Sequence, residues 1–193
     1  MRNEERHDRV PAEIASYADY VVFSERLQEL GFQEDSREGA PLCRWQHGDL
    51  VLDVMPLDAK ILGFSNRWNA DALRASSDVL LPGGLTIRTT TAPYFLGTKM
   101  EAFRGRGQGD YFASHNLEDF VAVIDGRTSI VQEVQEASPE LCNFIGEAVR
   151  TLLAASRFRD ALPGYLPPDA SSQARIGQLF RTPNELSRLA PGS

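Results

Sequence analysis

Two glycine-centred turns, followed by a long stretch of helical patterning, set the architecture open to this chain. Gly48 and Asp49 after His47 separate "PLCRWQH" from "LVLDVMP", and Pro82, Gly83 and Gly84 separate "DVLL" from "LTIRTTT". Each turn joins two short runs of strand-forming residues, which is the pattern of a β-hairpin. A helix ending near Gly31 precedes them, with Ile14, Tyr17, Val21, Val22, Leu27 and Leu30 as its apolar stripe. Arg67 to Ala75 reads as a short helix between the hairpins. From Ala92 onward the apolar spacing is helical, over Ala92 to Arg104, Leu117 to Ile124, Ile130 to Glu136 and Leu141 to Leu153, with Pro139 in a first turn. Hairpins followed by helices predict an α+β class: a small mixed sheet covered by helices, then a helical C-terminal portion. The expected division is an α/β domain over 1–136 and a helical portion over 137–193. Its proline-rich stretch "DALPGYLPPDASSQ" is expected to act as a linker or strapped loop, with at most two short helical pieces over Ala174 to Leu189. Deletion of this tail should be tolerated better than any earlier cut.

With 193 residues the chain is long enough for one good core. Its formal net charge of -7 gives no global attraction for nucleic acid or anionic lipid, so contact with a polyanion requires a local patch or a metal. The start "MRNEERHDRV" lacks the apolar segment of a signal peptide, and no apolar run approaches the roughly 18 residues of a membrane span. The expected location is the cytoplasm. Cys43 and Cys142 are far apart with no CxxC pair, and both are expected as core thiols.

Two charged residues fall where apolar ones belong. In "LVLDVMP" alternation places Leu50, Leu52 and Val54 on one strand face and Val51, Asp53 and Met55 on the other. Apolar residues on both faces predict a central strand covered on both sides, with Asp53 entering a buried layer. There it caps a loop, pairs with a nearby arginine, or serves as a metal-binding or base carboxylate. Lys99 has Phe95, Leu96, Ala102 and Phe103 at helical spacing around it. An ammonium in that stripe must snorkel to water, lose its proton or meet an anion. Asp110, Glu118 and Asp119 are the downstream carboxylates on offer, and a phosphate is the other candidate.

"RGRGQGD", Arg104 to Asp110, is glycine-rich but follows a helix, so it is not a dinucleotide or P-loop motif. Helix termination into a loop explains it; Arg104 and Arg106 between the glycines also allow close approach to a polyanion. In "SHNLEDF" Ser114 or Asn116 can cap the next helix, with Glu118 and Asp119 in its first turn. His115 is remote in spacing from His7 and His47, which argues against a histidine metal cluster, and no nucleophile elbow is present.

Taken together, "LQELGFQEDSREGAPLCRW", "DVMPLDAKILGFSNRW" and "TAPYFLGTKMEAFRGRGQGDYFASHNLEDFVAVIDGR" resemble bacterial nucleotidyltransferase-fold proteins of the abortive-infection (AbiEii) toxin type, over Ser16 to Glu136. The resemblance implies a polymerase-beta-like nucleotidyltransferase fold that uses Mg²⁺ and a nucleoside triphosphate. On the matching positions it implies Asp53 as the strand carboxylate for metal or base chemistry, and Lys99 as the helical lysine on the triphosphate. Arg104, Arg106 and Asp110 would contact the nucleotide, with His115 and Asp119 in support. A cognate antitoxin and an RNA or protein hydroxyl acceptor are the partners it implies.

The chain departs from the family pattern at its start. Asp8 and Glu13 do not form the family's D-x-D strand, Pro11 interrupts it, and Asn116 stands where the family usually has aspartate. Two-metal transfer needs several converging carboxylates. The expectation is therefore an N-terminally truncated, catalytically impaired or inactive protein, a remnant or binding module, unless an N-terminal part precedes this sequence. The alternative is an active Mg²⁺-dependent nucleotidyltransferase toxin. The missing first layer would uncover apolar surface, so a homodimer is expected.

Overall fold

The computed structural model describes residues 14, 16–55, 57–63, 65–106 and 109–190, with the backbone alone for Leu62, Arg106 and Gln178. The expectations placed on His7, Asp8, Pro11 and Glu13 lie outside the described residues. The chain divides into two compact units, Met1–Ser65 and Asn66–Ser193. The class is α+β with small antiparallel sheets, and among the described residues no helix is long and apolar enough to cross a membrane.

The N-terminal unit begins with α1 (Tyr17–Glu29), capped by the Ser16 hydroxyl accepting from the Asp19 amide. Then come β1 (Gln33–Glu34), β2 (Arg44–His47), β3 (Leu50–Asp53) and a single turn of helix, α2 (Ala59–Leu62). The strands pair antiparallel in the order β1-β2-β3, so the expected mixed sheet is corrected to an antiparallel one. The β2–β3 hairpin turns at Gly48, whose φ of +58° lies in the region glycine adopts freely. Register sets Trp45 opposite Leu52 and Arg44 opposite Asp53.

Ile14, Leu27, Trp45 and Val54 form the core of this unit, with Tyr20, Phe23, Phe32 and Ile61 packed around them. The expected α1 stripe is corrected accordingly. Tyr20, Phe23 and Leu27 face the core at spacings of three and four, while Tyr17, Val21, Val22 and Leu30 are exposed. Counting apolar residues favoured the wrong face because the helix has apolar residues on both. The expectation of a central, doubly covered β3 also fails. β3 is the sheet's edge among the described residues, and Leu50 and Val51 are 62% and 58% exposed.

The C-terminal unit opens with α3 (Asn69–Arg74) and the hairpin of β4 (Ser77–Leu80) and β5 (Thr86–Thr89), which turns through Gly83 and Gly84. The helices α4 (Ala92–Arg106), α5 (His115–Gly126), α6 (Ile130–Gln135) and α7 (Pro139–Ala154) follow. Ser114 and Ser138 cap α5 and α7 by accepting from the Leu117 and Leu141 amides. One apolar cluster joins these helices, with Leu96 and Met100 of α4, Phe120 of α5, Ile130 and Val134 of α6, and Leu141 and Ile145 of α7. Residues on either side of 136/137 share this core, so the break observed at 65/66 is not the division expected from the sequence.

Of the two expectations for the tail, linker or strapped loop, the structure shows the strapped one, with two short helices within Ala174 to Leu189. After α8 (Ser156–Ala161) the "LPGY" segment forms a 3-10 turn, and α9 (Ala170–Ala174), α10 (Ile176–Leu179) and α11 (Arg181–Ser187) follow. Phe158, Leu162, Leu166, Leu179 and Leu186 are buried in the main cluster. Proline and glycine marked the turns correctly, but the single leucines between them lock the segment down. Cys43 is buried and Cys142 half-buried, and burial pushes the Cys142 thiol up.

Candidate functional site

The groups singled out in the sequence fall in both units, Asp53 in the N-terminal one and Lys99, Arg104, Asp110, His115 and Asp119 in the C-terminal one. Asp53 ends β3 in the N-terminal unit and is engaged there by Arg44 across the sheet. Arg44 Nε donates to Oδ1 and Nη2 to Oδ2, both at 2.8 Å. This forked pair holds the Asp53 carboxyl below the usual carboxylate range. Asp53 is 41% exposed at the side chain, so it does not enter the buried layer expected of it.

Asp35 has a similar arrangement. It accepts from the Arg37 guanidinium and from Gln46, and the Arg37 bonds draw its carboxyl down to about 2. Among the described residues no three His, Cys, Asp or Glu side chains gather into a metal-binding group. On this donor set, one carboxylate with both oxygens on a guanidinium, the described residues do not fit the Mg²⁺ that the resemblance implies.

Lys99 lies in the C-terminal unit where α4 meets α5. Leu96, Met100 and Phe103 on the same helix are buried, and the lysine stem runs out past them so that Nζ reaches Asp119 Oδ2 at 2.5 Å. The ammonium also sits 5.0 Å from the centre of the Phe95 ring, one turn back. The side chains of Lys99 and Asp119 are 29% and 40% exposed. The lysine therefore both snorkels and pairs, and its partner is Asp119.

Beside this pair a groove of about 420 Å³ has Ala92, Phe95, Ala122 and Val123 among its lining, with Thr90 and Arg127 on its polar side. Arg127 is itself tied to Glu133 at 2.7 Å, and Ser129 donates to the same carboxylate; these bonds lower the Glu133 pKa.

The remaining candidates have other occupations. Asp110 Oδ1 accepts from the Phe112 and Ala113 amides, both at 3.1 Å, and so shapes the turn into α5 rather than meeting Lys99. His115 projects into solvent at the start of α5, with Nδ1 3.1 Å from Glu118 Oε2. Arg104 turns to α7 and lies 5.4 Å from the Phe144 ring centre. Five residues separate it from Lys99, roughly 140° around the helix, so the two cations serve different faces of α4. The side chain of Arg106 lies outside the described residues. Sequence reasoning missed Arg44 as the specific partner of Asp53 and Phe95 as the ring under Lys99. Hairpin register supplies the first signal and spacing of four residues the second.

A double-mutant cycle tests the pair. Both side chains are partly solvated, so the Lys99–Asp119 coupling is expected at about 0.5–1 kcal/mol, well below that of a buried pair. Lys99→Met should be close to neutral, since a flexible apolar side chain suits that stripe. The coupling between Lys99 and Asp110 should be near zero. Urea denaturation of Lys99→Met, Asp119→Ala, Asp110→Ala and the two doubles reads these values; a larger coupling to Asp110 than to Asp119 would contradict the assignment. No family model, curated protein or solved structure matches the chain.

Proposed function

We propose that the chain is a nucleotidyltransferase-like protein of the polymerase-beta-like fold that does not transfer nucleotides and acts as a binding module. The observation that carries this reading is the forked bond from Arg44 to Asp53. A carboxylate that should help hold two metal ions about 4 Å apart is instead neutralised by a guanidinium on an exposed sheet edge. Lys99, the residue for the triphosphate, is likewise neutralised by Asp119. A nucleotide would have to break that pair without a metal to share its charge.

The experiment is incubation of the full chain with Mg²⁺ and each labelled nucleoside triphosphate, with and without total RNA. The expected result is no label on RNA or protein, and transfer to either overturns the reading. The second reading, an active Mg²⁺-dependent nucleotidyltransferase toxin acting on RNA or protein hydroxyls, is favoured by the ammonium of Lys99 beside a groove floored by Phe95. In that case Asp119 is the resting partner that phosphate displaces.

As a binding module the chain has two partners in this reading: a cognate antitoxin and a second copy of itself. The edge of β3 supports self-association, since Leu50, Val51, Leu52 and Met55 are all exposed there. A strand edge paired with its own copy about a two-fold axis runs antiparallel and satisfies both chains equally. Light scattering at about 100 µM should report a homodimer that Val51→Lys disperses. A monomer for the unaltered chain at that concentration would contradict this.

A further inference from the structure

We propose that a second groove, where the C-terminal end of α4 meets α7, docks an acidic peptide segment of a partner protein and seats one large apolar side chain of it. The groove measures about 250 Å³, with Met100, Phe103, Ala148 and Leu152 as its apolar floor. Small-molecule sites run from roughly 300 Å³ upward, so this space suits a single side chain better than a whole ligand.

Its rim supplies the charge. Arg104 lines the groove, 5.4 Å from the Phe144 ring centre, and Arg157 lies behind Tyr111, another lining residue, 5.7 Å from its ring centre and 5.9 Å from that of Phe112. Among the described residues neither guanidinium has a carboxylate partner, whereas Arg44, Arg67, Arg127, Arg175 and Arg181 all do. In a chain of net charge -7, two such arginines beside an apolar hollow are the complement of an acidic segment. A guanidinium stacked on a ring keeps its N–H edge open to a carboxylate.

The rim is also held in place. Tyr165 Oη donates to the Tyr111 carbonyl at 2.7 Å, and the Tyr111 ring meets Phe103 edge-on at 5.4 Å. Phe112 is left 59% exposed beside them. Arginine and aromatic residues around an apolar hollow make up the chemistry of interface hot spots. With a net negative chain and two cations on the rim, a polyanionic RNA is the poorer fit. This inference goes beyond the reading above and is independent of the Lys99 face.

The test uses the full chain and a fluorescein-labelled acetyl-DDFDD amide followed by polarisation. The peptide should bind saturably, and DDADD should bind at least about tenfold more weakly. Arg104→Gln with Arg157→Gln should lose at least about tenfold in affinity, and Thr151→Phe, which fills the groove from its exposed rim and leaves both arginine charges in place, should lose as much. Arg159→Gln, an exposed arginine on the same α8, and Lys99→Met should stay within about twofold, since neither touches the groove. Circular dichroism of each variant should match the parent. Absence of saturable binding up to millimolar peptide, equal binding of DDADD, full affinity in the double variant, or displacement by a nucleoside monophosphate or an RNA decamer at lower concentration than unlabelled peptide would each overturn the proposal.

Discussion

Replacing Phe120 with alanine is expected to destabilise the C-terminal unit by about 3–5 kcal/mol. Phe120 is fully buried on the face of α5 that also carries Leu117, Val121 and Ile124, in the cluster that includes Leu96 and Met100 of α4. Truncation removes the ring's burial and leaves a cavity that the surrounding helices can close only in part. That is a large fraction of the roughly 5–15 kcal/mol by which domains of this size are stable. Because α4 and α5 also set the spacing of Lys99 and Asp119, their coupling should shrink in the same variant. The control is Phe112→Ala, an exposed ring whose loss should stay within about 0.5 kcal/mol. Urea denaturation measures both, and a Phe120→Ala cost below about 1 kcal/mol would mean that α5 does not pack as described.

Adding a side chain at Gly146 is expected to be costly for the opposite reason. A Cβ there would come within 2.6 Å of the Ala190 amide nitrogen and 3.0 Å of its Cβ. The nearer obstacle is backbone, so α7 and the residues after α11 would have to separate. Alanine in place of glycine normally favours a helix interior by about 1 kcal/mol. Overpacking should outweigh this and leave Gly146→Ala less stable by about 1–2 kcal/mol, with Gly146→Leu costing about 3. Gly97→Ala is the contrasting case. Its Cβ would meet Leu141 Cδ1 at 2.6 Å, the end of a side chain that can rotate away, and the change should be close to neutral. A neutral or stabilised Gly146→Ala would contradict the docking of the C-terminal tail on α7.

These two positions show what could and could not be read from the sequence. Local chemistry was legible. Gly48 and the Gly83-Gly84 pair mark hairpins because their positive φ suits few other residues, Ser114 marks a helix start because its hydroxyl meets a free amide, and Pro139 marks another because the first turn needs no amide from it. Choices between two faces were not. α1 carries apolar residues on both sides, and its packing with Trp45 and Val54 makes Tyr20, Phe23 and Leu27 the inner set. β3 reads as a covered strand because Val51 and Met55 are apolar, yet both are exposed at an edge. The tail reads as a linker or a strapped loop because it is proline-rich, and the choice between them depends on isolated leucines such as Leu162 and Leu166.

The candidate site divides the same way. Lys99 stood out because it interrupts an apolar stripe, and the choice of Asp119 over Asp110 then depends on how α5 lies against α4, which no spacing rule specifies. Arg157 gave no signal at all. Its importance comes from lying over Tyr111, more than forty residues earlier in the chain.

In the proposed reading, the charged groups that the resemblance assigns to nucleotide chemistry are already satisfied within the protein, Asp53 by Arg44 and Lys99 by Asp119. Isothermal titration of the full chain with ATP, GTP, CTP and UTP, with and without Mg²⁺, tests it most directly. The account predicts no saturable heat up to millimolar nucleotide under either condition. A micromolar dissociation constant that requires Mg²⁺ and is lost in Lys99→Met would contradict it.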